Sequence, residues 1–287
     1  MDFKRTQILL LIFFIFFDAY LAFTLITKQQ VRQTNSGQVT NVSVETQLKN
    51  RNIKINQTLS NESYQLPVVK TETSKVLDKE RGTLQGQTAR YNNGILQSIF
   101  DQPLDLGLGL DRDSKTLTQE QVEDIRRNFL DRPEYFVRGA EYTVWSFSPE
   151  SRTLTFYMVA YDGYPVLDGS SELRLNFNAD FQLREYTQTY QSDFKVLDQP
   201  IALISVKDAL KLLETRVDTY IPDGSTIQQI SLGYYRTVNL QDFDVYTPVW
   251  EITYSQDEAS TRTVLVDITE IQISRHNDNF SLGESIV

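Results

Sequence analysis

The sequence has no cysteine and one histidine, His276, among its 287 residues. Without a thiol the chain can form no disulfide, no thiolate metal site and no cysteine nucleophile, and it lacks the residue that lipoprotein-type processing modifies. A lone imidazole cannot build a conventional zinc cluster, and no Ser/His/Asp arrangement is suggested around it. We therefore expect no cofactor, and only carboxylates and aromatic side chains remain as site candidates.

Positive charge is also scarce. The chain carries 28 Lys and Arg against 38 Asp and Glu, which gives a formal net charge of −10. An acidic protein repels polyanions, so this balance predicts no nucleic-acid partner and no interface with anionic lipid or wall polymers. Aromatic residues make up 11% of the chain, which favours folded cores over disorder.

The exception to this polar character is one long apolar run over residues 8–26. Fourteen of its 19 residues are Leu, Ile or Phe, and Asp18 is its one charged residue. A helix of that length reaches about 28 Å, close to the thickness of the bilayer hydrocarbon. The run is longer than a signal-peptide core and no small-residue cleavage pattern follows it. The sequence therefore predicts a single-pass transmembrane anchor.

This anchor sets the predicted organisation of the chain. We predict a cytoplasmic tail over 1–7, the anchor over 8–27, a polar stalk over 28–43, and extracellular residues from there onward. The basic residues flanking the run are nearly balanced, so they contribute little to the assignment of orientation.

Asp18 is the sharpest candidate site residue. A carboxyl group in a single-span helix is costly and usually faces protein or water, so it could hydrogen-bond a polar residue of a partner helix. Five residues share its face at helical spacing: Phe14, Ile15, Leu21, Ala22 and Leu25. The small Ala22 would permit close helix approach. The alternative is a protonated Asp18 without a partner, which is tolerated because the favourable insertion free energy of its apolar neighbours exceeds the unfavourable contribution of the carboxyl group.

Beyond the stalk, the pattern predicts an α+β ectodomain of two helix-on-antiparallel-sheet units, over 44–198 and 199–287. Short signals open the first unit: a brief helix over 44–51 and strands near 53–55 and 66–69, which we expect to join the sheet that follows. A capping box at Thr118 and Gln121 predicts a helix that stops before Pro133. Strands are predicted over 142–147, 154–161, 171–177 and 181–190.

The second unit repeats this scheme. Ser205 and Asp208 are predicted to cap a helix whose apolar period continues to Tyr220. Strands are then predicted over 227–235, 249–254, 262–268 and 271–273.

Two further sets of side chains are candidate sites. The carboxylate pairs Asp242/Asp244 and Asp131/Glu134 have the residue types of a glycoside hydrolase, but turns and helix ends also explain them. The aromatic residues Trp145, Trp250, Tyr246 and Tyr254 could line a ligand groove, although strand spacing favours core packing. Asp111 and Asp113 begin like a calcium loop that Lys115 and Val122 do not continue, so no metal site is expected.

Three stretches carry a resemblance to a known family. They are the segments YDGYPV at 161–166, LREYTQTY at 183–190 and YTPVWEI at 246–252. With the MDFKRTQ head, the single anchor and the stalk, the chain resembles the YycI-type accessory proteins of Gram-positive bacteria. The segment 246–252, followed by Val264–Asp267, is also similar to strands of PepSY-type domains.

The resemblance implies a non-enzymatic regulator of the essential cell-wall sensor histidine kinase, part of a two-component system. It also implies association with a sister YycH-type membrane protein, and control of the kinase partly through transmembrane helix contacts. The alternative is an extracellular ligand- or peptide-binding module, such as a PepSY-like inhibitor. A wall hydrolase fits least because no catalytic constellation emerges.

Overall fold

The computed structural model describes residues 43–59, 62, 64–110, 114, 116–149, 151–215, 221–256, 261–267 and 273–276. The chain divides into two compact units, residues 1–50 and residues 51–287. The described part of the first unit contains helix α1 (Val44–Asn50), which confirms the brief helix predicted there. Every element below belongs to the second unit. The boundaries predicted at 43/44 and 198/199 stay predictions.

The second unit is mostly β-sheet. Its described helices are α2 (Val76–Glu80), α3 (Gln119–Ile125) and α4 (Val206–Thr215). Its described strands are β1 (Lys54–Ile55), β2 (Gln65–Leu66), β3 (Val69–Glu72), β4 (Gln87–Asn92), β5 (Ile95–Leu104), β6 (Tyr142–Ser148), β7 (Thr153–Tyr161), β8 (Tyr164–Pro165), β9 (Glu172–Phe177), β10 (Leu183–Gln188), β11 (Lys195–Val196), β12 (Ile201–Ala202), β13 (Thr226–Asn239), β14 (Phe243–Ser255), β15 (Thr261–Asp267) and β16 (Ile273–His276). The predicted α+β class is confirmed.

The first sheet is antiparallel, with the strand order β4-β5-β10-β9-β7-β6 and with β8 on the end of β7. The residue pattern of strand β9 shows why this sheet forms. Leu173, Leu175 and Phe177 are buried, and the polar residues between them face outward, as the alternating sequence predicts. Phe156, Tyr186 and Phe100 belong to the same core.

Helix α3 begins where the sequence predicts, but it ends at Ile125, and a π-helical turn fills the rest of the predicted length. The Gln121 backbone N–H donates to the Thr118 hydroxyl at 3.2 Å, and the Thr118 N–H donates to the Gln121 side chain at 2.9 Å. This reciprocal pair is the predicted capping box. Val122 and Ile125 are completely buried. A π-helical turn, Arg126–Leu130, then carries the chain to Asp131, just before Pro133.

The second sheet is built on the long hairpin of β13 and β14, in the order β1-β13-β14-β15-β16. Strand β3 adds to the free part of β14, and β11 adds to β3. Helix α4 opens as predicted, because the Asp208 N–H donates to the Ser205 hydroxyl at 3.2 Å. Residues 216–220, to which the predicted helix continues, lie outside the described ranges.

The placement of the first strands differs from the expectation. Strands β4 and β5 join the sheet that follows, but β1 pairs in parallel with β13 and β3 pairs with β14, while β2 pairs with β12. The expectation was wrong for these strands because they are too short to fix their own partners. Val69 and Thr71 of β3 are buried in the second sheet, and that burial decides where β3 lies.

The two sheets meet where Gly233 of β13 passes the end of β8. Leu167 donates its N–H to the Tyr234 carbonyl at 2.9 Å, and Val166 forms an isolated bridge with Tyr234. A Cβ on Gly233 would lie 2.5 Å from Leu167 and 2.7 Å from the Pro165 carbonyl oxygen. The strands can approach this closely because position 233 has no side chain.

No helix in the described residues is both long and apolar enough to cross a bilayer. The predicted anchor over 8–27 lies outside those residues.

Candidate functional site

The six predicted partner-binding residues, Asp18, Phe14, Ile15, Leu21, Ala22 and Leu25, all lie outside the described residues. Their role in a transmembrane contact stays a prediction. The same holds for Asp111 and Asp113, which lie in a gap of the described ranges.

The aromatic candidates do not form a groove. Tyr246, Trp250 and Tyr254 are at most 4% exposed, so a ligand cannot reach them. The Trp250 indole donates to the Ile204 carbonyl at 2.9 Å and meets the Tyr64 ring edge-on at 5.6 Å. Trp145 is half-buried and donates to the Gln119 side chain at 3.3 Å. Core packing is therefore the correct interpretation of these residues.

Local structure accounts for three of the four carboxylates in the candidate pairs. Asp242 is exposed in the turn before β14, whereas the Asp244 side chain is 1% exposed. Asp131 caps the π-helical turn that follows helix α3, and Glu134 lies in the next turn, 4.0 Å from Arg132. Turn and helix-end positions explain these three exposed or half-buried carboxylates.

Asp244 belongs instead to a buried polar cluster that the sequence did not reveal. We call it the carboxylate–arginine cluster, and it consists of Asp168, Ser170, Arg236, Asp244 and Tyr246. The Arg236 guanidinium lies 3.6 Å from the Asp168 carboxylate and 3.3 Å from that of Asp244. The two carboxylates are 4% and 1% exposed, and the guanidinium side chain is 32% exposed. Arg236 therefore neutralises two buried carboxylates from the solvent-exposed side of the cluster.

Hydrogen bonds complete the arrangement around each carboxylate. Asp168 accepts from the Arg236 backbone N–H at 3.2 Å and from the Ser170 hydroxyl, which lies 2.8 Å from the Tyr246 hydroxyl. Asp244 accepts from Gln191 at 3.0 Å and from Asn239 at 2.8 Å. Buried carboxylates are tolerated when paired and hydrogen-bonded in this way.

The electrostatics follow from burial and from the excess of carboxylates. Burial raises the pKa of Tyr246 well above its ordinary value, and the nearby charge of Asp168 raises it further. Burial lowers the pKa of Arg236, but Asp168 and Asp244 outweigh this and raise it overall. Tyr246 stays neutral and Arg236 stays charged at any physiological pH.

The cluster joins the two sheets. Asp168 and Ser170 lie between β8 and β9, and Gln191 follows β10, so these residues come from the first sheet. Arg236, Asp244 and Tyr246 lie in the β13–β14 hairpin of the second sheet. The arrangement offers no open nucleophile or substrate cavity; it fixes one sheet against the other. One sequence signal could have revealed it: Arg236 and Asp244 stand in phase with the apolar positions Tyr234 and Tyr246 of their strands.

Within the part of the chain that the structure describes, no three His, Asp or Glu side chains are placed to hold a metal ion. His276 lies in β16, where its backbone pairs with Thr263.

Two solved structures are similar to this chain. An uncharacterized protein from Eubacterium rectale, known from a crystal structure, is 12% identical; the similarity covers 79% of this chain and 91% of that one, with a TM-score of 0.44. The YpeB C-terminal domain of Bacillus megaterium is 10% identical, with 76% and 90% coverage and a TM-score of 0.33. Scores this low do not establish a common fold. No curated protein matches the sequence. The family described as YycI protein matches residues 31–267, and this chain therefore belongs to the YycI family.

Proposed function

We propose that the chain is a non-enzymatic, membrane-anchored regulator of the cell-wall sensor histidine kinase. The observation that carries this proposal is the family match over residues 31–267. The YycI family is a regulatory accessory family of the WalK two-component system and its members are typically membrane-associated. The apolar run over 8–26 in the sequence supports the same location.

The proposed mechanism is a shift of population between kinase states. A regulator changes such an equilibrium only if it binds one state better than the other. In the membrane, Asp18 supplies the differential contact, because hydrogen bonding to a polar residue of the kinase helix relieves its cost in lipid. Outside the membrane, the ectodomain associates with a sister YycH-type protein.

Replacing Asp18 with Leu tests the membrane contact. The substitution improves insertion, so the anchor stays in place while the polar contact is lost. We expect Asp18→Leu to reduce co-purification with the kinase at least fivefold and to change kinase activity in cells. Thr24→Leu is the matched control, because Thr24 is polar but lies about 120° around the helix from Asp18, outside the predicted contact face. Unchanged association in Asp18→Leu would contradict the mechanism.

Exchanging residues 8–27 for an unrelated transmembrane helix separates the two parts of the proposal. Regulation that disappears while the ectodomain stays folded assigns the contact to the membrane. Regulation that persists in full assigns it to the ectodomain. A purified protein that degrades wall polymer would overturn the non-enzymatic assignment.

A further inference from the structure

The outer edge of strand β4 is an open sheet edge from Ala89 onward. Before that point the Gln85 N–H donates to the Glu134 carbonyl at 2.9 Å, and the Gln87 side chain donates to the carbonyls of Glu134 and Tyr135 at 3.1 Å. Strand β4 pairs with β5 on one side and with no strand on the other among the described residues. The opposite edge of the sheet, β6, is protected: its pairing shifts register after Tyr142, and Trp145 is bonded to Gln119 at the start of helix α3. Strand β4 has neither a register shift nor a proline. Natural proteins usually block such an edge, so a regular open one indicates a place for strand addition.

The hairpin between β4 and β5 fixes which backbone groups of β4 face outward. Asn93 and Gly94 form its turn, with φ values of 49° and 85°. The Gly86 carbonyl accepts from the Asp101 N–H at 2.9 Å, so Gly86 faces β5. Because the direction alternates along an antiparallel strand, Thr88 and Arg90 also bond inward. The N–H and C=O groups of Ala89 and Tyr91 therefore point to the open side.

A groove runs beside this edge. Its volume is about 430 Å³, and it lies between the segment from helix α2 to Leu84 and the strand β4. Its lining residues are Asp78, Lys79, Arg81, Gly82, Leu84, Gln87 and Ala89. Ala89 and Gln87 line it from the strand side, so alternate side chains of an added strand would enter it.

The charge of the groove indicates what it accepts. Lys79 and Arg81 bring two positive charges, and only Arg81 is paired inside the groove, with Asp78 at 3.2 Å. Glu80, the next carboxylate along the chain, is held by Arg138 at 2.7 Å. Arg90 alternates with Ala89 along β4, so its side chain lies on the other face of the sheet, and the charged residues that line the groove sum to a net charge of +1. In a chain of net charge −10 this is a local positive region, so it favours an acidic ligand. A second copy of the same edge would bring like charges together.

We propose that the outer edge of β4 binds an extended acidic segment of a partner protein by strand addition. The segment's backbone pairs with Ala89 and Tyr91, its inward side chains enter the groove, and its carboxylates lie near Lys79 and Arg81. This inference does not rest on the kinase assignment, since the edge and the groove have these properties whatever the partner does.

Peptide binding to the full-length chain in nanodiscs tests the proposal. The probe is a blocked, fluorescein-labelled heptapeptide of alternating valine and glutamate, and its counterpart carries lysine for glutamate. We expect the acidic peptide to bind at least tenfold more tightly by fluorescence anisotropy, with affinity that falls as salt is added. Equal affinities, or no binding of the acidic peptide at millimolar concentration, would overturn the proposal.

Two variants locate the binding. Ala89→Pro removes an outward N–H while leaving the bonds to β5, and we expect at least tenfold weaker binding; Ala89→Ser keeps the N–H and should bind as the unaltered chain does. Lys79→Glu should weaken binding by a similar factor, with Lys195→Glu in the second sheet as its control. If Ala89→Pro fails to fold, the comparison of Lys79→Glu with Lys195→Glu tests the location of the binding site. Binding that is unchanged in Lys79→Glu would place the peptide elsewhere.

Discussion

Arg236 faces the two buried carboxylates of Asp168 and Asp244, and its loss removes the counter-charge that both have among the described residues. We expect Arg236→Met to lower the free energy of unfolding by about 3 kcal/mol, the low end for breaking a buried pair because the guanidinium is partly exposed. Urea denaturation measures the change. Arg81→Met is the control, because it breaks an exposed pair with Asp78 and should cost no more than about 1 kcal/mol. Equal costs for the two variants would show that Asp168 and Asp244 do not depend on Arg236.

Tyr157 gives the protein an alkaline sensitivity. Burial, and then the charge of Glu172, raises the pKa of Tyr157 to about 12. Above about pH 10 an unfolded tyrosine releases its proton while the folded one keeps it, so stability falls as pH rises towards 12. One such group contributes about 1.4 kcal/mol per pH unit to that slope. We expect Tyr157→Phe to reduce the slope of unfolding free energy against pH by this amount between pH 10 and 12. An identical slope in the variant would refute the assignment.

At the scale of single elements, helix α3 depends on its first turn. Thr118→Ala removes the acceptor for the Gln121 N–H and should cost about 1 kcal/mol. Gln121→Ala should cost more, because the Gln121 side chain also donates to the Leu108 carbonyl at 2.6 Å. Thermal unfolding followed by circular dichroism measures both. Thr116→Ala, an exposed threonine before the helix, should leave the midpoint unchanged. A larger loss in Thr116→Ala than in Thr118→Ala would contradict this account.

The same element shows how much of the fold was predictable. The capping box and the apolar period are local, so they located α3 from the sequence, and strict alternation located β9 in the same way. The pairing of β1 and β3 with β13 and β14 was not predictable, because two to four residues carry no signal about a partner so distant in the chain. The carboxylate–arginine cluster was missed for the same reason: its members are gathered from three separate segments, and the sequence alone pairs Asp244 with its neighbour Asp242.

At the scale of the whole molecule, the two sheets should unfold together because they are joined at Gly233 and at the carboxylate–arginine cluster. The chain has two tryptophans, Trp145 in the first sheet and Trp250 in the second. Trp250→Phe and Trp145→Phe therefore leave one fluorescent reporter in each sheet. We expect the two variants to report the same urea midpoint.

Adding Gly233→Ala should break this agreement. The new methyl group meets Leu167 and the Pro165 carbonyl, which should cost about 2 kcal/mol by overpacking and loosen the junction. The two reporters should then give separate midpoints. Gly82→Ala is the control, because nothing lies within 4 Å of its added Cβ. Coincident midpoints in Gly233→Ala would show that the cluster alone couples the sheets.

Strands β1 and β3 belong to the second sheet, whose central strands β13 and β14 are synthesised late, and this has a consequence for biogenesis. A chain delivered from its N-terminus emerges with these strands long before β13 and β14 are synthesised, yet Lys54 pairs with Thr226 and Thr71 with Asp244. Assembly must therefore wait for nearly the whole polypeptide, since such distant pairings close slowly. During that interval Val69 lacks its partner Tyr246 in β14, so part of its apolar surface is exposed and the nascent protein is prone to aggregation.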